Sequence, residues 1–141
     1  MILNMKKTLL AALIACLSLS NCSNKTDNKT STHSDILGQW SIIEANGQST
    51  DSAETTPFIL FADSGVVSGH ASVNAFFGQY TIKGDSIFFE YMGSTSMLGH
   101  DMETEMAIMT AIGQWSTFEL TDSILKAKDL DGKVVMSMQR N

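Results

Sequence analysis

From Ile36 onward the chain alternates short apolar runs with Gly, Asn, Asp and Ser at intervals of about ten residues, the spacing that antiparallel β structure leaves in a sequence. LGQWSIIEA, residues 37–45, sets Leu37, Gln39, Ser41 and Ile43 on one parity and Trp40, Ile42 and Glu44 on the other, so one face is mostly apolar and the parity is ambiguous at the edges. PFILFA (57–62) opens on the single proline, at a strand start where a missing N–H is tolerated. GVVSGH (65–70) follows the turn Asp63-Ser64-Gly65, and FGQYTIK (77–83) passes through Gly84-Asp85 into SIFFEY (86–91). Three further strands are expected in STFELT, SILKAKD and KVVMSMQ, the last two joined by Asp131-Gly132.

The period changes once. In HDMETEMAIMTAIGQW, residues 100–115, Met102, Met106, Met109 and Gly113 recur at helical spacing with Ile112 beside them, which predicts a helix with this stripe turned to the core. Asp101 is the expected N-cap, and Glu103 and Glu105 fall in the first turn, where the helix dipole favours negative charge. Strands, one helix, then more strands predict an α+β domain: a curved antiparallel sheet, a partial barrel of seven to eight strands, with the helix packed against it.

The N-terminus follows a different pattern. Lys6 and Lys7 precede an apolar run from Leu9 to Leu19, and small residues lead to Cys22. This is the pattern of a secretory signal peptide, with an apolar stretch short for a bilayer span. Leu19-Ser20-Asn21-Cys22 resembles a bacterial lipobox, in which the cysteine is acylated and becomes the mature N-terminus, although Asn21 is larger than the usual preceding residue. Leu13-Ile14-Ala15-Cys16 is a second local match, but cleavage there would leave an apolar segment trailing the anchor. Cys22 is therefore the expected lipidation site, residues 1–21 a lipoprotein signal peptide, and the polar stretch 22–35 a tether with too little apolar surface to offset its ordering entropy. The folded domain is expected over 36–141.

Composition narrows the partners. After removal of Lys6 and Lys7, seven cationic residues face fifteen acidic ones, a net charge of −8 that argues against nucleic acid. No cysteine follows Cys22, so the domain has no disulfide. The expected associations are the bilayer of a bacterial membrane, the outer one by preference, entered through acylated Cys22, and an unidentified envelope protein, with the chain itself a monomer.

The order of motifs then becomes specific. LGQW near the start, FADSGVVSG leading into HASVNAFFGQY, MGSTSMLG before a helix carrying Glu105, and the closing LKAKDLDGK together resemble the META domain, the HslJ-like family, over about 36–139. The resemblance implies a small α+β fold of envelope proteins, linked to stress response, with no established enzymatic activity. It marks Trp40, Gly69, Asn74 and Gly78 as structural motif positions. It also implies a bonded cysteine pair, one directly before the motif asparagine and one just before the helix. Here those positions are Val73 and Gly99, so both partners of the staple are gone together.

Candidate chemistry adds little. Asn74 is expected at a tight turn, its amide bonding nearby backbone, rather than as an oxyanion donor, and the aromatics after it are expected to feed the core. His70 and His100, with Asp101, match no zinc spacing. The methionines between Met92 and Met109 are expected to pack the core rather than to bind copper. No Gly-x-Ser-x-Gly elbow or phosphate loop is present, and Glu103 and Glu105, two apart on a helix, face different directions. The reading is a non-catalytic lipid-anchored envelope protein with neither cofactor nor metal. The alternative is a carrier of a small apolar ligand or acyl chain between helix and sheet.

Overall fold

The computed structural model describes residues 33–140. The expected signal peptide, Cys16, Cys22 and the tether up to position 32 lie outside them. A short helix α1 (His33–Ile36) leads into β1 (Gly38–Ala45), β2 (Gln48–Ser49), β3 (Phe58–Phe61), β4 (Val66–His70), β5 (Ala75–Lys83) and β6 (Ser86–Ser94). The main helix α2 (Met102–Gln114) follows, then β7 (Thr117–Thr121), β8 (Ile124–Lys128) and β9 (Val134–Gln139). Eight of the nine strands match the expected number, and the ninth is the two-residue β2. Asn46 and Gly47, with φ of 47° and 79°, make the β1–β2 turn, the backbone that an Asn-Gly pair favours in a hairpin.

All pairings are antiparallel, in the order β2-β1-β3-β4-β5-β6-β7-β8-β9, and β9 returns to β1. The sheet therefore curls into a ring. One seam is thin: β6 and β7 pair only at Ser86↔Thr117, whereas β5 and β6 pair over most of their length. The ambiguous parity of β1 has a local cause. A register shift between Ile42 and Glu44 places Ile43 in a bulge, so Trp40, Ile42 and Ala45 all turn inward while Ile43 and Glu44 face out.

The ring interior holds Trp40, Phe61, Phe76, Leu125, Met136 and Met138, each at most 1% exposed. Trp40 donates its indole N–H to the Ile36 carbonyl at 2.8 Å, and the Arg140 guanidinium lies 4.2 Å over its ring while donating to the Asp35 and Leu37 carbonyls. The two ends of the domain are thus clasped around one aromatic side chain. His33 stacks on Tyr80 at 5.5 Å, so residues just before Ile36 also pack on the domain.

Helix α2 faces the core differently from the expectation. Thr104, Ile108, Ala111 and Ile112 are buried, Met106 is 69% exposed, and Met102 and Met109 are only half-buried. The methionine stripe and the true stripe both have helical spacing and lie about one face apart. β-Branched Ile108 and Ile112, with small Ala111 between, fit close against the sheet, where a third long methionine would not. A second correction concerns the aromatics after Asn74: Phe76 and Tyr80 are buried, but Phe77 is 54% exposed.

Candidate functional site

The most elaborate polar constellation is built around Asn74. Ala71 donates its N–H to the Asn74 carbonyl at 2.8 Å, closing a tight turn between β4 and β5 in which Ser72 has φ of 87°. Ser72, Val73 and Asn74 are all buried, as is Thr104 on the first turn of α2. Asn74 uses its whole side chain. Its Nδ2 donates to the Met97 carbonyl at 2.9 Å and to Glu105 Oε1 at 2.8 Å, while Oδ1 accepts from the Thr95 hydroxyl and the Met97 N–H, both at 2.7 Å. The Asn74 backbone N–H adds a bond to Glu105 Oε2 at 2.7 Å. The amide was expected to serve its own turn; it ties together three segments far apart in sequence.

Asp101 forms the second half. It stands at the N-cap position of α2, as expected, but makes no side-chain capping bond to the helix. Its carboxylate accepts instead from the Ser72 hydroxyl, from the Thr104 hydroxyl at 2.6 Å and from the Glu54 N–H at 3.2 Å. Burial pushes the Asp101 carboxyl up, but the hydroxyl and amide donors outweigh it and hold the group below the usual carboxylate range. Sequence reasoning missed this role for Asp101, and placed Glu105 in the first turn of the helix without its bond to Asn74. No local signal marks them, because they meet only where the loop from β6 returns to the β4–β5 turn.

The two positions of the absent staple lie in the same place. A Cβ built on Gly99 would stand 2.8 and 2.9 Å from the Val73 methyls and 3.4 Å from its Cβ. The sequence resemblance thus paired positions that the fold brings into contact. Gly69 and Gly78 serve close approaches of another kind. A Cβ on Gly69 would meet the Phe58 carbonyl at 2.2 Å and the Phe76 ring at 2.4 Å, and one on Gly78 would meet Met92 Sδ at 2.3 Å.

The arrangement has little to offer a reaction. The Ser72 hydroxyl faces a carboxylate rather than an imidazole, and both buried-side carboxylates are occupied by donors. His70 keeps a buried Nδ1 without a partner, and His100 is exposed. Among the described residues no group of three or more His, Cys, Asp or Glu could hold a metal ion. Elsewhere, an open cleft of about 470 Å³ is lined by His33, Asp63, Gln79, Tyr80 and Glu90. The Tyr80 hydroxyl donates to the Ala62 carbonyl at 2.8 Å and lies 2.9 Å from His33 Nε2; burial, then the Asp63 charge, push the phenol up. Between α2 and the sheet, Ile108, Ala111, Ile112 and Trp115 are each at most 5% exposed, so that space is filled.

This ring of antiparallel strands, with one helix locked to the β4–β5 turn by a part-buried Asn–Glu clamp, defines a small α+β domain. The META domain family matches residues 34–141, and the chain belongs to that family. Three solved structures share the fold. One, described only as the NMR structure of a protein, is 16% identical, covers 77% of this chain and 94% of its own, and superposes with a TM-score of 0.65. A DUF4847 family protein from Bacteroides vulgatus is 10% identical over 74% of this chain and 92% of its own, with a TM-score of 0.55. A protein from Burkholderia xenovorans is 18% identical over 74% of this chain and 81% of its own, also with a TM-score of 0.55. No curated protein matches. Among the described residues no helix is long and apolar enough to cross a membrane.

Proposed function

We propose that this META-domain chain is a non-catalytic, lipid-anchored protein of the cell envelope that supports another envelope component by direct protein contact, in the service of envelope integrity or stress response. The observation that carries the contact is an apolar outer surface on β5 and β6. Phe77 is 54% exposed, Phe88 51% and Tyr91 81%, on a domain whose interior is otherwise fully packed. The polar residues that a catalytic reading would need are committed to holding the turn, the loop and the helix together. The anchor is supported by Lys6 and Lys7, the apolar run to Leu19, and Cys22. An apolar ligand held between helix and sheet gains no support from that packed interior.

The test is cross-linking in the native envelope. A photo-reactive residue at position 77 is expected to capture one protein species reproducibly, and the same residue at Lys126 on β8 is expected not to. Equal capture from both positions would contradict the reading. So would hydrolytic turnover abolished by Asn74→Ala or His70→Ala in a protein that remains folded.

A further inference from the structure

Among the described residues, the seam of the ring leaves the β6 edge beyond Ile87 without a paired strand. Ile87 donates its N–H to the Ser116 carbonyl at 2.9 Å, but Ser116 turns its own N–H to Lys128. β7 runs from Thr117 away from the rest of β6, Phe118 donating its N–H back to the Asp85 carbonyl, so Ser86↔Thr117 is its only pair with β6, and the chain before it is Trp115 and the end of α2. By strand alternation the N–H and C=O of Phe89 point to the same side as those of Ile87. The opposite strand agrees: Tyr80, the partner of Phe89, directs its N–H away to Gly65 on β4. Among the described residues no strand lies along β6 beyond Ser86 on that side. The usable edge ends at a bulge, where Tyr91 and Met92 together oppose Gly78 and Tyr91 takes φ of 53°.

We infer that this edge, from Phe88 to Tyr91, is the docking site for an extended segment of a partner protein, which adds to β6 as a further strand. The inference deepens the partner-contact reading above and rests on it. An unpaired ladder is met fully only by another strand, and the flanking side chains define which one. Phe88 and Glu90 face outward on the edge and Tyr91 closes it, all exposed. Residues opposite Phe88 and Glu90 are therefore apolar and basic respectively. The residue between them, opposite Phe89, faces the inner side, where the Trp115 ring packs tilted against Phe89 at 5.4 Å and its buried indole N–H has no partner. A small hydroxyl residue suits that position. Charge also disfavours a second copy: two β6 edges in antiparallel contact set two acidic domains side by side, with Glu90 of each facing the apolar Phe88 of the other rather than a cation.

The experiment uses the full-length chain, labelled with nitrogen-15, in detergent. The probe is the acetylated and amidated peptide Val-Thr-Lys-Thr-Val-Thr-Lys-Thr. Added peptide is expected to shift the Phe89 and Tyr91 amides and to slow their hydrogen exchange at least tenfold. The same peptide with Glu for each Lys is expected to do neither, and Glu90→Lys is expected to reverse that preference. Shifts confined to other strands, an equal response to a peptide with proline in place of its central threonine, or a peptide-independent dimer protected at β6 would each overturn the inference. None of these readouts depends on acylation of Cys22 or on capture in the envelope, so the two readings fail separately.

Discussion

Replacing Val73 and Gly99 by cysteine should restore a covalent staple that this chain lacks. The Cβ–Cβ separation of 3.4 Å sits just below the usual disulfide range of about 3.5–4.5 Å, and position 99 is in an exposed loop that can give a few tenths of an ångström. Closing a loop of about 27 residues lowers the unfolded-state entropy by about 12 cal/mol/K, or about 3.5 kcal/mol at 25 °C. Trimming Val73 returns about 1 kcal/mol of that. The net gain of about 2.5 kcal/mol raises the melting temperature by roughly 10–15 °C for a domain of this size. The single variant Gly99→Ala should behave oppositely. Its methyl meets both Val73 methyls inside 3 Å, and overpacking costs about 1 kcal/mol. The assay is thermal unfolding by circular dichroism with and without reductant, in a background carrying serine at positions 16 and 22, with intact mass to confirm loss of two hydrogens. A folded double variant that stays reduced under air, or one that oxidises and melts no higher than its reduced form, would refute the claim that these segments touch.

Asn74→Ala strips the side-chain donor from Glu105, both side-chain partners from the Met97 backbone and the acceptor from the Thr95 hydroxyl; chemical denaturation should show a loss of about 2–4 kcal/mol. Asn74→Asp sets a second carboxylate against Glu105, and its deficit should shrink as the pH is lowered and one of the pair takes a proton. The Asp101 carboxyl is held below its ordinary range in the folded state, so its contribution is present above about pH 4 and is lost as the pH falls through the folded value. Denaturation at a series of pH values should show that loss, and Ser72→Ala should reduce its steepness. Gly69→Ala drives a methyl into the Phe58 carbonyl; a destabilisation of about 2–3 kcal/mol is expected in the same assay, and an unchanged midpoint would contradict the described β3–β4 approach.

Strand positions were legible because each was bounded by turn chemistry: Gly65, Gly84 and Gly132 all take positive φ where the sequence expected turns. The helix was legible in extent and misread in orientation. Periodicity locates a stripe but does not choose between two stripes of similar apolarity, and the choice fell to the side chains that fit closest against β1 and β9. The ring closure of β9 onto β1 leaves no local mark, since it depends on pairing residues such as Ile42 and Met138 from opposite ends of the domain. The Asn74 clamp was invisible for the same reason. Its partners Met97 and Glu105 are distant in sequence, and short-range reasoning about an asparagine finds only a turn. By contrast, the Val73–Gly99 contact was legible through family resemblance alone, because a pair lost together points to a shared location.

The account depends most on the chain being held at a membrane while its β6 edge faces outward to a partner. The most direct measurement is the intact mass of the protein extracted from its native envelope with detergent. The account predicts a chain beginning at Cys22 that carries acyl groups on that residue, with Cys22→Ala left unprocessed or released from the membrane. A chain that retains residues 1–21, or one that begins after them without any acyl addition, would contradict it.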